Sequence, residues 1–95
     1  MNIEEYQASL QDPAVPPHID TPLQALWYAA KDNWDKAHAL VQDEDDANSA
    51  WVHAHLHRVE GDSFNAQYWY NRANRPMPDE PLAKEWIMIV STLVD

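Results

Sequence analysis

The sequence contains no cysteine. Disulfides, thiolate zinc sites and cysteine nucleophiles are therefore excluded. Glycine is almost as scarce, with Gly61 the single example. One glycine cannot build a glycine-rich phosphate cradle, and it is too few for the turns and bulges of most β-rich folds. This scarcity indicates a helical chain without a nucleotide-binding loop.

Basic residues are also few, at 6 against 16 acidic ones, which gives a formal net charge of −10. Such a field repels phosphate backbones and anionic membrane surfaces, so we expect neither nucleic acid nor membrane as a partner. A basic protein or peptide would be attracted. The acidity also fits a role in solubility alone, and the composition leaves both explanations open.

Long hydrophobic runs are missing as well. The longest lies near Trp86 to Val90 and falls far short of the roughly 20 residues that span a bilayer. The first residues, Met1 to Glu5, lack the basic and apolar segments of a secretion signal. We therefore expect a cytoplasmic protein.

Core-forming residues, in contrast, are plentiful. Apolar residues make up 45% of the chain, and five of them are tryptophans. A length of 95 residues suits one domain. A chain of this size buries roughly 60–65% of its unfolded surface, which is enough for one core. Residues 1–95 are therefore predicted to form a single domain.

Prolines divide the chain into segments, because a proline inside a helix costs about 3 kcal/mol. The stretch from Leu23 to Arg75 is free of proline and can be helical. Before it, residues 1–20 are predicted to form an arm, with a short helix and a proline-rich connector. After it, a helix over 79–94 is expected to begin near Asp79 or Glu80. The two clusters that mark these breaks are Pro13, Pro16, Pro17 and Pro22, then Pro76, Pro78 and Pro81.

Apolar spacing between these breaks predicts four helices in two pairs, over 21–43 and 48–75. Thr21, Pro22 and Gln24 have the pattern of a capping box at the first start. The third helix should run to about Glu60, and Gly61 suits a left-handed cap at its end. The expected N-terminal caps are Asn48 or Ser49 for the third helix and Asp62 or Ser63 for the fourth.

The two pairs resemble each other at a shift of 29 residues, since Ala25 corresponds to Ala54 and Ala37 to Ala66. Small residues at these positions allow two antiparallel helices to approach closely. We therefore predict an all-α fold of two antiparallel helix hairpins, a C-terminal capping helix and a short N-terminal helix. Larger apolar residues are expected to pack around the alanines: Leu26, Trp34 and Val41, then Leu56, Phe64 and Tyr70.

A family resemblance follows from these residues. The segment from Gly61 to Ala66, followed by Tyr70, Ala73 and Pro78, resembles the second half of a tetratricopeptide repeat and the related Sel-like repeats. The chain is also similar to short, uncharacterised bacterial proteins with Trp-Tyr-Ala-Ala-Lys and Trp-Val-His-Ala segments. The tetratricopeptide resemblance implies a scaffold that binds proteins or peptides on a concave surface. It assigns that surface to one side of the third helix, at Trp51, His55 and Arg58.

Histidines are concentrated on the third predicted helix. His53 and His57 are four residues apart and share a face, whereas His55 points elsewhere. Two histidines at this spacing can chelate a divalent metal if another element supplies a further ligand, for which His38 and Glu60 are candidates. The alternatives are that the rings pack between helices or contact a polar ligand.

Aromatic residues indicate a contact surface. Tyr68, Trp69 and Tyr70 are consecutive and turned by about 100° from one another, so all three cannot face one core. With His53 and His57, Tyr68 is the second choice for a binding site.

The sequence contains no catalytic motif and indicates no cofactor, so a non-enzymatic interaction module for a protein or peptide is the leading hypothesis. The alternative is a small-ligand or divalent-metal-binding protein, or a hydrolase, centred on His53 and His57. A homodimer could form through Ile87, Met88 and Val94 of the C-terminal helix.

Overall fold

The computed structural model describes residues 1–94, and within that range every regular element is a helix. This confirms the all-α prediction. None of the helices described is long and apolar enough to cross a membrane. Among residues 1–94 there are six α-helices, and one 3-10 turn, Ser9–Gln11, follows the first of them: α1 Ile3–Ala8, α2 Thr21–Ala30, α3 Trp34–Val41, α4 Ala47–Val59, α5 Ser63–Ala73 and α6 Leu82–Leu93.

Side-chain caps explain where α4 and α5 begin. Asp46 caps α4 by accepting the backbone N–H of Ser49 at 2.9 Å, so the expected caps Asn48 and Ser49 lie inside the helix. The predicted cap of α4 was wrong because several neighbouring residues in this acidic stretch have side chains that can cap a helix. Asp62 caps α5 through the backbone N–H of Asn65 at 3.1 Å, as predicted.

Left-handed residues end the same two helices. Gly61 has a φ of 84°, which confirms its predicted role after α4. The backbone N–H of Asp62 then reaches back to the carbonyl of His57 at 2.9 Å and closes the helix end. Asn74, with a φ of 59°, ends α5 in the same conformation.

Two helix starts differ from the sequence prediction. No side chain caps α2, because Asp20 holds the cap position without accepting a bond and Gln24 instead donates to the carbonyl of Ile19 at 2.8 Å. The capping box predicted at Thr21 is therefore absent. Helix α6 begins at Leu82 rather than near 79 or 80, since Pro81 disfavours the helical conformation in the residue before it.

Helix α4 lies at the centre of the molecule. It packs mainly against α5 and also contacts α2, α3 and α6, while α2 packs mainly against α3. The four alanines of the repeat are completely buried on α2, α3, α4 and α5. Small side chains at those points let neighbouring helix backbones come close. The completely buried alanines are Ala25, Ala37, Ala54 and Ala66.

The N-terminal arm packs onto this core. Tyr6 is completely buried, and its hydroxyl donates to the carbonyl of Leu23 in α2. Trp27 donates its indole N–H to Ser9 at 3.1 Å, which fixes the 3-10 turn against α2. Trp86 of α6 donates to the carbonyl of Leu26 at 2.9 Å. These bonds join the two ends of the chain through α2.

One expected core residue lies outside. Phe64 was predicted to pack around the alanines of the second pair, but its side chain is 87% exposed. The residue occupies the first turn of α5, and it is turned by about 200° around the helix from the buried Ala66. The prediction was wrong because apolar character was taken as sufficient for burial, whereas more than half of a folded surface is apolar.

Candidate functional site

Helix α4 is buried on all sides over its middle two turns. Every residue from Ser49 to His57 is buried, including three histidines. Successive residues turn by about 100°, so His53 and His57 project on one side and His55 on the other. The helix therefore presents histidine side chains to two separate environments.

The first environment is a cluster of three histidines between α3 and α4. His38, from α3, brings its Nε2 to 3.0 Å from the Nε2 of His53. The ring of His57 is stacked on that of His53, with centroids 4.9 Å apart. One ring nitrogen of each histidine lies within 4.8 Å of those of the other two. The predicted pair on α4 thus meets His38, the third ligand considered from the sequence.

Two tryptophans enclose this histidine cluster. Trp34 stacks on His38 with ring centroids 4.7 Å apart, and Trp69 of α5 stacks on His53 at 3.9 Å. The indole N–H of Trp34 donates to the carbonyl of Leu56 at 2.7 Å, which fixes the orientation of its ring. Flat aromatic rings therefore border the cluster on two sides.

A carboxylate orients the third histidine. The Nδ1 of His57 lies 2.6 Å from the Oε1 of Glu60. A carboxylate can only accept, so His57 carries a hydrogen on Nδ1. In the neutral ring, the other nitrogen, Nε2, then has a free lone pair. In His53, by contrast, Nδ1 is buried and has no hydrogen-bond partner.

The environment keeps two of these rings uncharged at neutral pH. Burial, together with the neighbouring His38 and His57, lowers the pKa of His53 to about 4. Burial and the nearby His57 also lower the pKa of His38, although Glu60 and Asp35 act against this shift. Neutral imidazoles have lone pairs available for a cation or a hydrogen-bond donor.

The second environment is a buried carboxylate on the opposite side of α4. Glu85 of α6 is 1% exposed. Its Oε1 lies 2.6 Å from the Nδ1 of His55 and accepts from Arg58 at 2.7 Å. Its Oε2 accepts from the hydroxyl of Tyr70 in α5. Arg58 also donates to the carbonyl of Glu80 at 2.8 Å. One side chain thus ties α6 to α4 and α5.

Hydrogen bonds keep Glu85 ionised in spite of its burial. Burial by itself raises the pKa of the carboxyl group, but bonds from His55, Tyr70 and Arg58 outweigh it and leave the pKa below its usual value. Burial and the bond to Glu85 raise the pKa of Tyr70, so its hydroxyl keeps its hydrogen. Both carboxylate oxygens of Glu85 have hydrogen-bond partners, and this is typical of a group that stabilises the fold.

The first-choice contact residues from the sequence all lie against other parts of the chain. His55 and Arg58 contact Glu85. Trp51 is 6% exposed, and the guanidinium of Arg75 lies 3.5 Å from the centroid of its ring. Trp51 and His55 are therefore almost completely covered by neighbouring parts of the chain, and little of either side chain is left for a partner.

Sequence reasoning missed Glu85. A signal was present, because Glu85 falls within the apolar stripe of α6, three residues after Leu82 and four before Ile89. A carboxylate in such a stripe needs buried partners, and His55 and Arg58 on α4 were available.

Exposed aromatic side chains lie on α5. Phe64 and Tyr68 are one helical turn apart, at 87% and 50% exposure. Arg72, one turn further, places its guanidinium 5.9 Å from the ring centroid of Tyr68 and 5.3 Å from that of Trp69. The helix, Ser63–Ala73, contains no acidic residue, in a chain with 16 of them.

A second apolar surface lies along α6. Ile87 and Met88 are 43% and 44% exposed. Ile87 borders an open groove between α2, α4 and α6, which is also lined by Ala29, Ala30, Val59, Leu82 and Ala83. The groove is shallow and mainly apolar, and it is separate from the histidine cluster.

Comparison with known proteins identified no relative of this chain. No protein-family model, curated protein or solved structure matches the chain. Functional inference therefore rests on the geometry of the histidine cluster, of the Glu85 anchor and of the exposed face of α5.

Proposed function

We propose that the protein is a non-enzymatic, cytoplasmic interaction module that binds a protein or peptide. The scaffold we infer is a pair of tetratricopeptide-like hairpins, α2 with α3 and α4 with α5, closed at one end by α6. Short connections, residues 31–33 and 60–62, support this arrangement. So do the four buried alanines at the helix contacts, Ala25, Ala37, Ala54 and Ala66.

We place the contact surface on the outer face of α5. The observation that carries this assignment is the exposure of Phe64 and Tyr68 on adjacent turns of one helix. Aromatic residues and arginine are enriched in the cores of protein interfaces, while acidic residues are depleted. Helix α5 has this composition, since it joins Phe64, Tyr68 and Arg72 and contains no acid.

Charge identifies the class of partner. The net charge of −10 steers a basic partner towards the molecule and repels an acidic one. Arg72 lies against the rings of Tyr68 and Trp69, so its cation is partly engaged within the face itself. We therefore expect a basic peptide whose apolar side chains cover Phe64 and Tyr68, with its positive charges around the rim.

Selection from a displayed peptide library tests this proposal. Enriched peptides should have a positive net charge and at least one large apolar side chain. Their affinity should fall at least tenfold for the double variant Phe64→Ser, Tyr68→Ser. The matched control is Val59→Ser, which changes an apolar side chain of 44% exposure outside α5. The assignment would be contradicted if the double variant and Val59→Ser lost affinity for the peptides equally, or if acidic peptides were selected.

A second copy of the chain is the other partner we consider. The exposed side chains Ile87 and Met88 and the adjacent groove offer a surface on α6 for a homodimer. Sedimentation velocity over a hundredfold range of concentration measures this directly. A dimer that dissociates in Ile87→Ser, Met88→Ser would establish the α6 contact, and a monomer at every concentration would remove it.

A further inference from the structure

We propose that His38, His53 and His57 form a binding site for a divalent transition-metal cation such as Zn²⁺, Ni²⁺ or Cu²⁺. This inference is independent of peptide binding by α5. It rests on convergence from two elements, since His38 lies on α3 and the other two lie one turn apart on α4. One ring nitrogen of each residue lies within 4.8 Å of the other two.

The spacing of the nitrogens fits a cation after small side-chain rotations. With Zn–N bonds of about 2.0–2.1 Å and tetrahedral angles, ligand nitrogens lie about 3.4 Å apart. The Nε2 atoms of His38 and His53 are already 3.0 Å apart. The longest separation in the cluster, at most 4.8 Å, needs to close by no more than about 1.4 Å.

The hydrogen bonding of the cluster is incomplete by itself. Two Nε2 atoms that face each other at 3.0 Å require a hydrogen between them, so only one ring of the pair can be an acceptor there. Whichever ring donates, the Nδ1 of the 4%-exposed His53 stays buried without a partner. A cation on the Nε2 of His53 would leave the hydrogen on this Nδ1 and would not give it a partner, so the cation accounts only for the facing pair of Nε2 atoms. A cation in place of the shared hydrogen would let both Nε2 atoms act as donors of electron pairs.

An outer carboxylate supports the same assignment. In metal sites a ligating histidine usually donates its second ring N–H to a carboxylate or carbonyl, which fixes the tautomer and the ring orientation. Glu60 accepts from the Nδ1 of His57 at 2.6 Å and leaves Nε2 free for a metal. Stacking on Trp34 and Trp69 holds the other two rings in place.

The donor set selects the kind of ion. Three imidazoles suit Zn²⁺, Ni²⁺ or Cu²⁺, whereas Ca²⁺ and Mg²⁺ require oxygen ligands. His38 is only partly buried, so an ion and a fourth ligand from solvent can enter from that side. Asp62 also lies within 4.8 Å of His57 and Glu60, but it already accepts from the backbone of Asn65 as the α5 cap.

Isothermal titration of the chelator-treated protein with ZnCl₂ tests the site. We expect one Zn²⁺ per chain, a higher melting temperature with Zn²⁺ and no response to CaCl₂. His38→Ala should weaken the affinity at least tenfold, and Glu60→Gln should weaken it about tenfold, because loss of an outer partner typically costs 10–100-fold. Circular dichroism of each variant shows that the fold is kept.

Two control variants make the test specific. His18→Ala removes an exposed histidine outside the cluster, and Asp62→Asn keeps the helix cap but removes a carboxylate that lies within 4.8 Å of His57 and Glu60. Both should bind Zn²⁺ like the wild type. If wild type and His38→Ala bind equally, or if wild type shows no binding at 1 mM Zn²⁺, the proposal is wrong. If Asp62→Asn loses binding instead, the ion lies between His57, Glu60 and Asp62. Peptide binding is measured in EDTA, so either proposal can fail alone.

Discussion

Replacing Glu85 with alanine should destabilise the protein more than any change at its surface. The carboxylate is 1% exposed and holds three partners: His55 and Arg58 on α4, and Tyr70 on α5. Its removal leaves a mostly buried guanidinium without its counter-ion and two further side chains without an acceptor. The variant therefore loses the bonds by which Glu85 ties α6 to α4 and α5.

The size of the effect follows from burial. Removing one partner of a buried ion pair typically costs about 3–5 kcal/mol, because the other charge is left uncompensated. A chain of 95 residues has a free energy of unfolding of about 5–14 kcal/mol. Glu85→Ala should thus remove about a fifth of the total or more. Glu85→Gln keeps the shape and one carbonyl acceptor, and we expect a smaller loss of about 1–3 kcal/mol.

Urea denaturation, followed by tryptophan fluorescence and far-ultraviolet circular dichroism, measures these differences. The midpoint should fall by about 1.5 M or more for Glu85→Ala, given a slope of about 1–2 kcal/mol/M for a protein of this size. Glu44→Ala, in the exposed acidic loop, is the matched control and should stay within about 0.5 kcal/mol of wild type. Equal midpoints for Glu85→Ala and Glu44→Ala would refute the anchoring role of Glu85.

Three further predictions concern acid, a turn and the surface. Burial lowers the pKa of His53 to about 4 in the native state, so the unfolded chain takes up its proton first as the pH falls below about 6.5. Metal-free protein should lose about 2 kcal/mol of stability by pH 5 from this residue, and the lowered pKa of His38 acts in the same direction; urea midpoints that stay constant from pH 7 to 5 would contradict this. Gly61→Ala places a side chain at a φ of 84° and should cost about 1 kcal/mol in the same denaturation assay, even though no atom lies within 4 Å of the added methyl group. Phe64→Ser should leave the melting temperature within about 2 °C of wild type, because 87% of the side chain is already in water; a large drop would show that Phe64 is a core residue.

Local features of the fold could be predicted from local chemistry. The proline clusters mark breaks because proline removes a backbone donor wherever it lies, and no knowledge of the tertiary fold is needed. Gly61 was assigned its left-handed conformation for a similar reason, since it is the one glycine at the end of an apolar stripe. Helical periodicity alone places His53 and His57 on one side of the helix and His55 on the other.

Features that depend on distant partners could not be predicted in the same way. The position of α6 is set partly by the bonds of Glu85 to His55 and Arg58, which lie about 30 residues earlier in the chain. The sequence showed a charge within an apolar stripe but not the surface that receives it. Phe64 was misplaced for the opposite reason, because local periodicity by itself turns it by about 180–200° from Ala66 and Ala73, which are buried.

The candidate site falls between these two cases. Two of its histidines were identified by spacing, and His38 was named as one of two candidates for a further ligand. Whether His38 reaches them depends on the angle between α3 and α4, which the sequence does not specify. The stacking of Trp34 and Trp69 on the cluster is likewise a result of tertiary packing.

Helix α4 thus carries two kinds of histidine, and nitrogen NMR of ¹⁵N-histidine-labelled protein tests this division most directly. Long-range ¹H–¹⁵N correlation spectra identify which ring nitrogen carries the hydrogen and which binds a metal. We predict that His55 and His57 each carry the ring hydrogen on Nδ1. One equivalent of Zn²⁺ should then shift the ring signals of His38, His53 and His57 and leave those of His18 and His55 unchanged. A shift of His55 together with the others, or no shift in any of the three, would contradict the separation of the two environments.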